Sequence, residues 1–259
     1  MRKVILISID GMRPDGFLAC GHPFAQEMLR LGACTLTAKT VFPSVTLPCH
    51  LSMFHSVPPE RHGVTTNTYV PFPRPVPGLF EMLKMMGRSS AFFYNWEPLR
   101  DIGRPETLRY AEFIDHRADP DTDGILTEKA LKLLDRDAAD FIFLYLAQTD
   151  EKGHDFGWMS EEYLSCIHRA VGYVRKVYEA AGGRYAILVT ADHGGHDRTH
   201  GTICDEDMTI PMFFMGDPFP QGTQLKDMSI LDIAPTIAGL EGIPIPAEWE
   251  GRSACPAGA

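Results

Sequence analysis

The sequence has no excess of positive charge. Its 259 residues include 24 Lys and Arg against 34 Asp and Glu, which gives a formal net charge of −10 with His neutral. Binding along a nucleic acid backbone or an anionic membrane depends on clustered cationic side chains. We therefore expect neither a nucleic acid polymer nor a membrane among the partners of this protein. An anionic substrate would need a local source of positive charge.

The sequence also lacks a Cys-x-x-Cys pair and a long apolar run. Its scattered cysteines predict neither a zinc ribbon nor a redox dithiol. The opening stretch MRKVILISID has a basic start, but its apolar run is too short to span a membrane and ends on Asp10. We interpret it as a first strand rather than a secretory leader, and we expect reduced thiols and a cytoplasmic location. The cysteines are Cys20, Cys34, Cys49, Cys166, Cys204 and Cys255.

The composition is typical of a folded globular protein, with 44% hydrophobic and 22% charged residues. The simplest expectation is a single domain over residues 1–259, with room for a small cap or loop region within 65–125. That region contains the Pro-rich stretch VPFPRPVPG (70–78), which cannot form regular structure. We favour a surface connection for this stretch; the alternative is a wall or lid over the active site.

Alternation of apolar runs with helix-like segments predicts an α/β fold. The runs are continuous rather than alternating, which favours strands buried on both faces of a parallel sheet. We therefore predict a mostly parallel central sheet sandwiched by helices, with the ligand site beyond the carboxyl ends of the strands. The predicted strands lie within 3–10, 89–96, 140–150, 185–195 and 210–216, and the clearest helices within 123–137 and 160–182.

Three acids stand where predicted strands end. They are Asp10, Asp150 and Asp192, and the last two are followed closely by His154 and His193. One such acid alone is more often a helix cap or a turn residue. Three acids with nearby histidines instead predict a metal site, and mixed carboxylate and imidazole ligands suit Zn²⁺ or Mn²⁺ better than Ca²⁺.

Charge counting predicts two divalent ions. Three carboxylates and one ionised hydroxyl would balance two such cations, whereas the same carboxylates without metal would raise one another's pKa. Two ions about 3.5–4 Å apart can clamp the attacking and leaving oxygens of an in-line displacement at phosphorus. The sequence therefore favours phosphoryl chemistry.

Six motifs occur in an order that resembles the alkaline phosphatase superfamily. They are SIDGMRPD, PSVTLPCH, PPERHGV, TDEKGH, TADHGG and THGT, and they most resemble its type I phosphodiesterase/nucleotide pyrophosphatase branch. The resemblance covers roughly Val4 to Gly201, and its specificity lies in the whole set rather than in any one motif. It implies a hydrolase of a small-molecule phosphodiester, pyrophosphate or phosphomonoester that uses two divalent ions, Zn²⁺ first and Mn²⁺ as the alternative.

The resemblance also implies residue roles. Thr46, in the stretch TLPCH, matches the nucleophile of the family's Thr-x-Pro-Asn-His signature. A Thr hydroxyl is a poor nucleophile at neutral pH, and ligation to a divalent ion is one way to ionise it. The implied reaction is two in-line steps through a phospho-Thr46 intermediate. The implied ligands are Asp10, Thr46, Asp192 and His193 for one ion, and Asp150, His154 and His200 for the other.

One position departs from the signature. Cys49 stands where the family typically has an Asn that helps to bind a phosphoryl oxygen, and a thiol is a weaker donor than an amide. We predict that Cys49 lies in the substrate site, with Asn95 as a substitute donor, although a strand-ending Asn is more often a turn residue. His196 competes with His200 as a metal ligand, and we favour His200 because THG resembles the family position more closely.

Two other functions compete with the hydrolase. A cofactor-independent phosphosugar mutase would return the phosphoryl group to the sugar, but such enzymes generally need an additional domain. A non-catalytic metal-binding relative would explain Cys49, but not the retention of Thr46. Sulfatase activity is disfavoured because the Cys- or Ser-x-Pro-x-Arg run that it needs is absent around Cys49.

Overall fold

The computed structural model describes residues 1–256 and contains one eight-stranded sheet in that range. The strand order is β4-β3-β5-β1-β6-β7-β2-β8. The strands are β1 Lys3–Ile9, β2 Gly32–Lys39, β3 Ser90–Tyr94, β4 Tyr110–Phe113, β5 Phe141–Leu146, β6 Tyr185–Thr190, β7 Thr209–Met215 and β8 Thr223–Gln224.

The sheet is mostly parallel, as the sequence predicts. Each pair of neighbours from β4 through β3, β5 and β1 to β6 is parallel, and only β7 runs antiparallel to its neighbours. In the centre, Ile5 of β1 pairs with Ile142 of β5 on one side and Ile187 of β6 on the other. These strands are buried on both faces, which explains their continuous apolar runs.

Helices flank the sheet, and both helices predicted with the clearest pattern are present. The Ser160 hydroxyl accepts the Tyr163 N–H, which caps the longest helix. Within residues 1–256, no helix is both long and apolar enough to cross a bilayer. The helices are α1 Pro14–Ala19, α2 Pro23–Met28, α3 Thr46–His55, α4 Pro59–His62, α5 Leu79–Met85, α6 Thr122–Asp135, α7 Gln148–Phe156, α8 Glu161–Ala181, α9 Asp205–Met208 and α10 Ile233–Glu241.

The region 65–125 contributes both to the sheet and to loops. Its strands β3 and β4 pair in parallel within the central sheet. The Pro-rich stretch 70–78 forms neither helix nor strand and is tied to α3, because the Val76 carbonyl accepts a hydrogen bond from His55 Nδ1 at 2.9 Å. Phe72 packs on the His55 and His62 rings. This stretch is therefore a connection over α3, and none of its residues lines the cavity described below.

Candidate active site

The three predicted acids meet at the carboxyl ends of neighbouring strands. Asp10 directly follows β1, and Asp192 lies two residues beyond β6. The sequence suggested that Asp150 ends its strand. In the structure β5 ends at Leu146, and Asp150 lies in the first turn of α7. Because β5, β1 and β6 are adjacent in the sheet, the three carboxylates converge at one edge.

Three buried side chains converge around the Nε2 nitrogen of a fourth, His193. His193 Nε2 lies 3.3 Å from Asp10 Oδ1, 3.4 Å from Asp192 Oδ2 and 3.2 Å from Thr46 Oγ1. Each of these residues is at most 3% exposed. We call them the first ligand group: Asp10, Thr46, Asp192 and His193.

A second ligand group consists of Asp150, His154 and His200. The i, i+4 spacing on α7 puts Asp150 and His154 on one helix face, with His154 Nε2 3.3 Å from the carboxylate. His200 Nε2 lies 3.7 Å from the other oxygen of Asp150. Both imidazoles donate through Nδ1 to backbone carbonyls, of Arg198 and Ser44, and this fixes Nε2 towards the acid. All seven predicted metal ligands are thus in one place.

His196 lies outside both groups. Its Nδ1 is 2.7 Å from Asp207 Oδ1, whereas the His200 ring stacks on His193 with the centroids 3.8 Å apart. The geometry therefore favours His200 over His196 at this site, in agreement with the motif comparison.

One oxygen of each of the three carboxylates in the site is left without a hydrogen-bond partner. Asp10 Oδ1, Asp150 Oδ1 and Asp192 Oδ2 are buried and unpaired. Burial and the nearby Asp192 and Asp150 charges raise the pKa of Asp10 well above its usual value, and burial also raises the pKa of Asp192. Unpaired buried carboxylate oxygens are costly. Divalent cations would satisfy all three, so the residues fit such ions.

The histidines differ in protonation. Burial lowers the pKa of His193, and burial together with His193 lowers the pKa of His200 to about 4, so both are neutral at pH 7 and able to ligate a metal. A hydrogen bond with Asp150 raises the pKa of His154 to about 9. Burial alone would raise the pKa of Asp150, but His154 and the other imidazoles outweigh it and lower that pKa. Metal binding must therefore release the His154 proton.

A cavity of about 470 Å³ opens above the site. Its floor includes Thr46 and the second ligand group, while Asp192 and His193 lie fully buried beneath it. Its outer wall was not predicted from the sequence. The outer wall consists of Asn67, Trp96, His116, Arg117, Glu151 and Asp155.

Asn67 is a wall residue that is hydrogen-bonded to the start of α3, beside Thr46. Its Oδ1 accepts the N–H of Leu47, the residue after Thr46, at 3.1 Å. This bond uses Oδ1 alone, so the Nδ2 hydrogens of Asn67, which lines the cavity, are available as donors. The only sequence signal was a polar amide in the exposed stretch TTNTY, close after the His62 turn.

Cys49 does not reach the cavity, contrary to our expectation. Its side chain is fully buried, and Sγ lies 3.2 Å from Thr40 Oγ1. Burial also raises the pKa of the thiol. The substitution of Cys for Asn at this position therefore changes the packing beneath α3 and not the lining of the substrate cavity.

Asn95 is likewise turned away from the cavity. Its Nδ2 donates to Asp123 Oδ1 at 2.6 Å and to Thr122 Oγ1 at 3.0 Å, and its Oδ1 accepts the Ala147 N–H at 3.1 Å. Asn95 therefore joins the start of α6 to the residue before α7. This amide helps to fix the position of α7, the helix that carries Asp150 and His154.

Comparison with known proteins identifies sequence relatives. Residues 4–210 match the family described as type I phosphodiesterase / nucleotide pyrophosphatase. Human ectonucleotide pyrophosphatase/phosphodiesterase family member 1 is 24% identical over 191 residues, which are 66% of this chain and 20% of that protein. The 2,3-bisphosphoglycerate-independent phosphoglycerate mutase of Rhodopirellula baltica is 30% identical over 141 residues, 49% of this chain and 24% of the mutase. The match thus spans a quarter or less of each of these two relatives.

Solved structures share the fold over nearly the whole chain. Human ectonucleotide pyrophosphatase/phosphodiesterase 5 has a TM-score of 0.80 at 15% identity and covers 95% of this chain and 96% of its own. The murine counterpart, as an inactive variant in complex with AMP, has a TM-score of 0.79. The phosphonate monoester hydrolase of Silicibacter pomeroyi has a TM-score of 0.77 at 15% identity, with 100% and 78% coverage. These structures confirm the alkaline phosphatase-like α/β fold.

Proposed function

The chain belongs to the type I phosphodiesterase / nucleotide pyrophosphatase family, and from this premise we propose that it is a two-metal hydrolase of small-molecule phosphate esters acting through a phospho-Thr46 intermediate. One observation carries the proposal. Three buried carboxylate oxygens without partners surround the space between the Thr46 hydroxyl and three imidazoles. A purely structural metal site would not require a hydroxyl that lies at the floor of an open cavity.

The two ligand groups would each hold one divalent ion. Bound there, the ions would lower the pKa of the Thr46 hydroxyl and neutralise charge on the phosphoryl group. Zn²⁺ is the first choice because the donors mix imidazole nitrogen with carboxylate oxygen, and Mn²⁺ accepts the same donors. Asp150 contributes to both sets of converging ligand atoms, one with His154 and His200 and the other with Asp10 and His193.

Thr46 is held for attack. It is the first residue of α3, so the positive end of the helix dipole faces the cavity floor. His193 donates through Nδ1 to the Gly194 carbonyl at 2.7 Å, so neutral His193 presents an unprotonated Nε2 to Thr46 Oγ1. In the first step Thr46 Oγ forms a bond to phosphorus, the ester P–O bond breaks and the leaving oxygen takes a proton. In the second step a water oxygen attacks phosphorus and the Thr46 hydroxyl is released.

The outer wall favours a substrate with a sizeable leaving group. Arg117 supplies local positive charge to a protein of net charge −10, and Trp96 offers an aromatic surface. A nucleoside or other aryl group could stack on Trp96 while Arg117 meets a further anionic group. We therefore favour a phosphodiester or a pyrophosphate over a simple monoester. The AMP bound in the murine structural relative supports a nucleoside group on the substrate.

The proposed function is tested by a matrix of metals against substrates on the purified protein. It includes aryl and nucleotide diesters, pyrophosphates, phosphonates, phosphomonoesters and sulfate esters, each with Zn²⁺, Mn²⁺ and no added ion. We expect metal-dependent release of product from diesters or pyrophosphates before the others. Two bound ions per chain with no turnover of any ester would instead identify a non-catalytic metal-binding relative.

Asn67→Ala is expected to lower kcat by about 10²–10³-fold, the usual loss when one donor to a developing oxyanion is removed. The side chain is exposed, so thermal stability should barely change. Steady-state kinetics and thermal unfolding measure the two effects. Asn95→Ala is the contrasting substitution, with its main effect on stability: it leaves Asp123 buried without its amide partner, and we expect a destabilisation of about 1–3 kcal/mol. Unchanged kcat in Asn67→Ala would remove that amide from the mechanism.

The relationship to phosphoglycerate mutases supports a second candidate. A mutase would transfer the phosphoryl group from Thr46 to another hydroxyl of the same bound molecule. Phosphoglycerate distinguishes the two reactions, because a mutase isomerises it and a hydrolase releases inorganic phosphate. The cytoplasmic location, and the exclusion of nucleic acid polymers and membranes as partners, stay predictions that rest on charge and unpaired thiols.

A further inference from the structure

A third cluster of ligand-type side chains lies outside the two ligand groups. It consists of His196, Cys204 and Asp207, whose ligand atoms all lie within 4.8 Å of one another. His196 Nδ1 is 2.7 Å from Asp207 Oδ1 and 3.6 Å from Cys204 Sγ. None of the three lines the active-site cavity. The cluster therefore needs an explanation of its own.

Hydrogen bonds from Thr202 to one carboxylate oxygen fix the orientation of Asp207. Its Oδ2 accepts the Thr202 N–H at 2.8 Å and lies 2.8 Å from the Thr202 hydroxyl, so Oδ1 faces the cluster. Metal-ligating carboxylates are typically fixed in this way through their second oxygen. Asp207 is fully buried, whereas His196 and Cys204 are partly exposed, so an ion could enter from solvent on their side.

The backbone around the cluster is held before any ion binds. The Gly194 N–H donates to the Asp207 carbonyl at 2.8 Å, and the Gly195 N–H donates to the Glu206 carbonyl at 3.0 Å. This close approach needs glycine, because a Cβ on Gly194 would overlap the Glu206 carbonyl oxygen. The segment after β6 is thereby fastened to α9, and the three side chains are brought together at low entropic cost.

We propose that His196, Cys204 and Asp207 form a third metal site, with Zn²⁺ as the ion. One imidazole nitrogen, one thiolate and one carboxylate, completed by solvent, suit tetrahedral Zn²⁺; Mg²⁺ and Ca²⁺ prefer oxygen throughout. On binding, His196 ligates through Nδ1 with its proton on Nε2, Cys204 loses its thiol proton to solvent, and Asp207 ligates through Oδ1. The ion replaces the His196–Asp207 hydrogen bond.

The consequence would be structural. The loop between β6 and α9 carries Asp192 and His193 of the first ligand group and His200 of the second. An ion at the third site would tie α9 to the middle of that loop and restrain these three ligands. It would not touch the substrate.

Cobalt substitution tests this site separately from the hydrolase. Thiolate ligation to Co²⁺ gives an intense sulfur-to-metal charge-transfer absorption in the near ultraviolet, and neither active-site group contains a cysteine. We expect this band when the full chain is titrated with Co²⁺, and three metal equivalents per chain at saturation. Cys204→Ser should lose the band and one equivalent and keep the other two.

Cys255→Ser is the matched control, because Cys255 is also a partly exposed free thiol and its Sγ lies 3.5 Å from the Thr236 carbonyl, away from the cluster. It should keep the band. His196→Ala retains the thiol and should lose the band at the Co²⁺ concentration that saturates the unaltered chain. This variant serves as the test if Cys204→Ser does not fold.

Absence of the band in the unaltered chain, or its persistence in folded Cys204→Ser, would overturn the proposal. The cluster would then be an ordinary His–Asp hydrogen bond beside a free thiol. Because the readout is absorption and metal content, an inactive hydrolase could still carry the site, and an active one could lack it.

Discussion

Thr46→Ala is expected to lower kcat for phosphate ester hydrolysis by at least about 10³-fold, since removal of a covalent nucleophile costs more than removal of a single binding contact. Its hydroxyl is the only one in the first ligand group, and it lies 3.2 Å from His193 Nε2 on the cavity floor. The loss should appear in kcat with an aryl phosphodiester at saturating Zn²⁺. Thermal unfolding should show that the fold is kept.

Two controls accompany this substitution. Thr46→Ser retains a hydroxyl at the same position and should keep measurable turnover. Thr65→Ala removes an exposed hydroxyl from the loop before Asn67 and should leave kcat unchanged. If Thr46→Ala kept more than about a tenth of the kcat, a loss below 1.4 kcal/mol in the barrier, Thr46 would not be the nucleophile.

Removal of divalent ions is expected to abolish activity and to make stability depend on pH. The activity loss is expected because the carboxylates that carry the three unpaired oxygens would repel an anionic phosphoryl group unless divalent ions neutralise them. The pH effect follows from His154, whose pKa of about 9 in the folded metal-free protein exceeds its usual 6.5. Between these values the folded state holds a proton that the unfolded state has lost, so the free energy of unfolding falls as pH rises from 6.5 to 9.

Metal binding should remove this pH dependence, because a ligating His154 carries no proton on Nε2. Chemical unfolding of chelator-treated and Zn²⁺-loaded protein across the same pH range measures the difference. Zn²⁺ or Mn²⁺ should restore activity, whereas Ca²⁺, which prefers oxygen ligands throughout, should not. Full activity after exhaustive chelation would contradict the two-metal proposal.

Much of the fold could be predicted from the sequence, and the seven residues that it offers as metal ligands lie together in the structure. The central strands are buried on both faces and so read as continuous apolar runs, and the strand-end rule then locates Asp10 and Asp192. The outer strands carry no such signal: the edge strand β4 is largely exposed, and β2, which lies next to the edge strand β8, mixes Gly, Ala and Lys. Without β4, the loop carrying His116 and Arg117 had no predicted place near the site.

Side-chain direction explains the two predicted substrate contacts that the structure does not bring to the cavity. Asn95 and Trp96 are consecutive after β3, and successive side chains of an extended chain point to opposite faces. Trp96 faces the cavity while Asn95 faces α6 and Ala147. Cys49 is one helical turn beyond Thr46 and packs inward against Thr40. Asn67 is brought beside Thr46 by a loop whose path depends on tertiary contacts, which no local pattern encodes.

A covalent phospho-Thr46 intermediate is tested most directly by the configuration at phosphorus. A chiral aryl phosphorothioate diester is hydrolysed in isotopically labelled water, and the stereochemistry of the thiophosphate product is determined. Each in-line displacement inverts phosphorus, so attack by Thr46 followed by attack by water predicts overall retention. Overall inversion would mean that water attacks the substrate directly, and it would contradict the assignment of Thr46 as nucleophile.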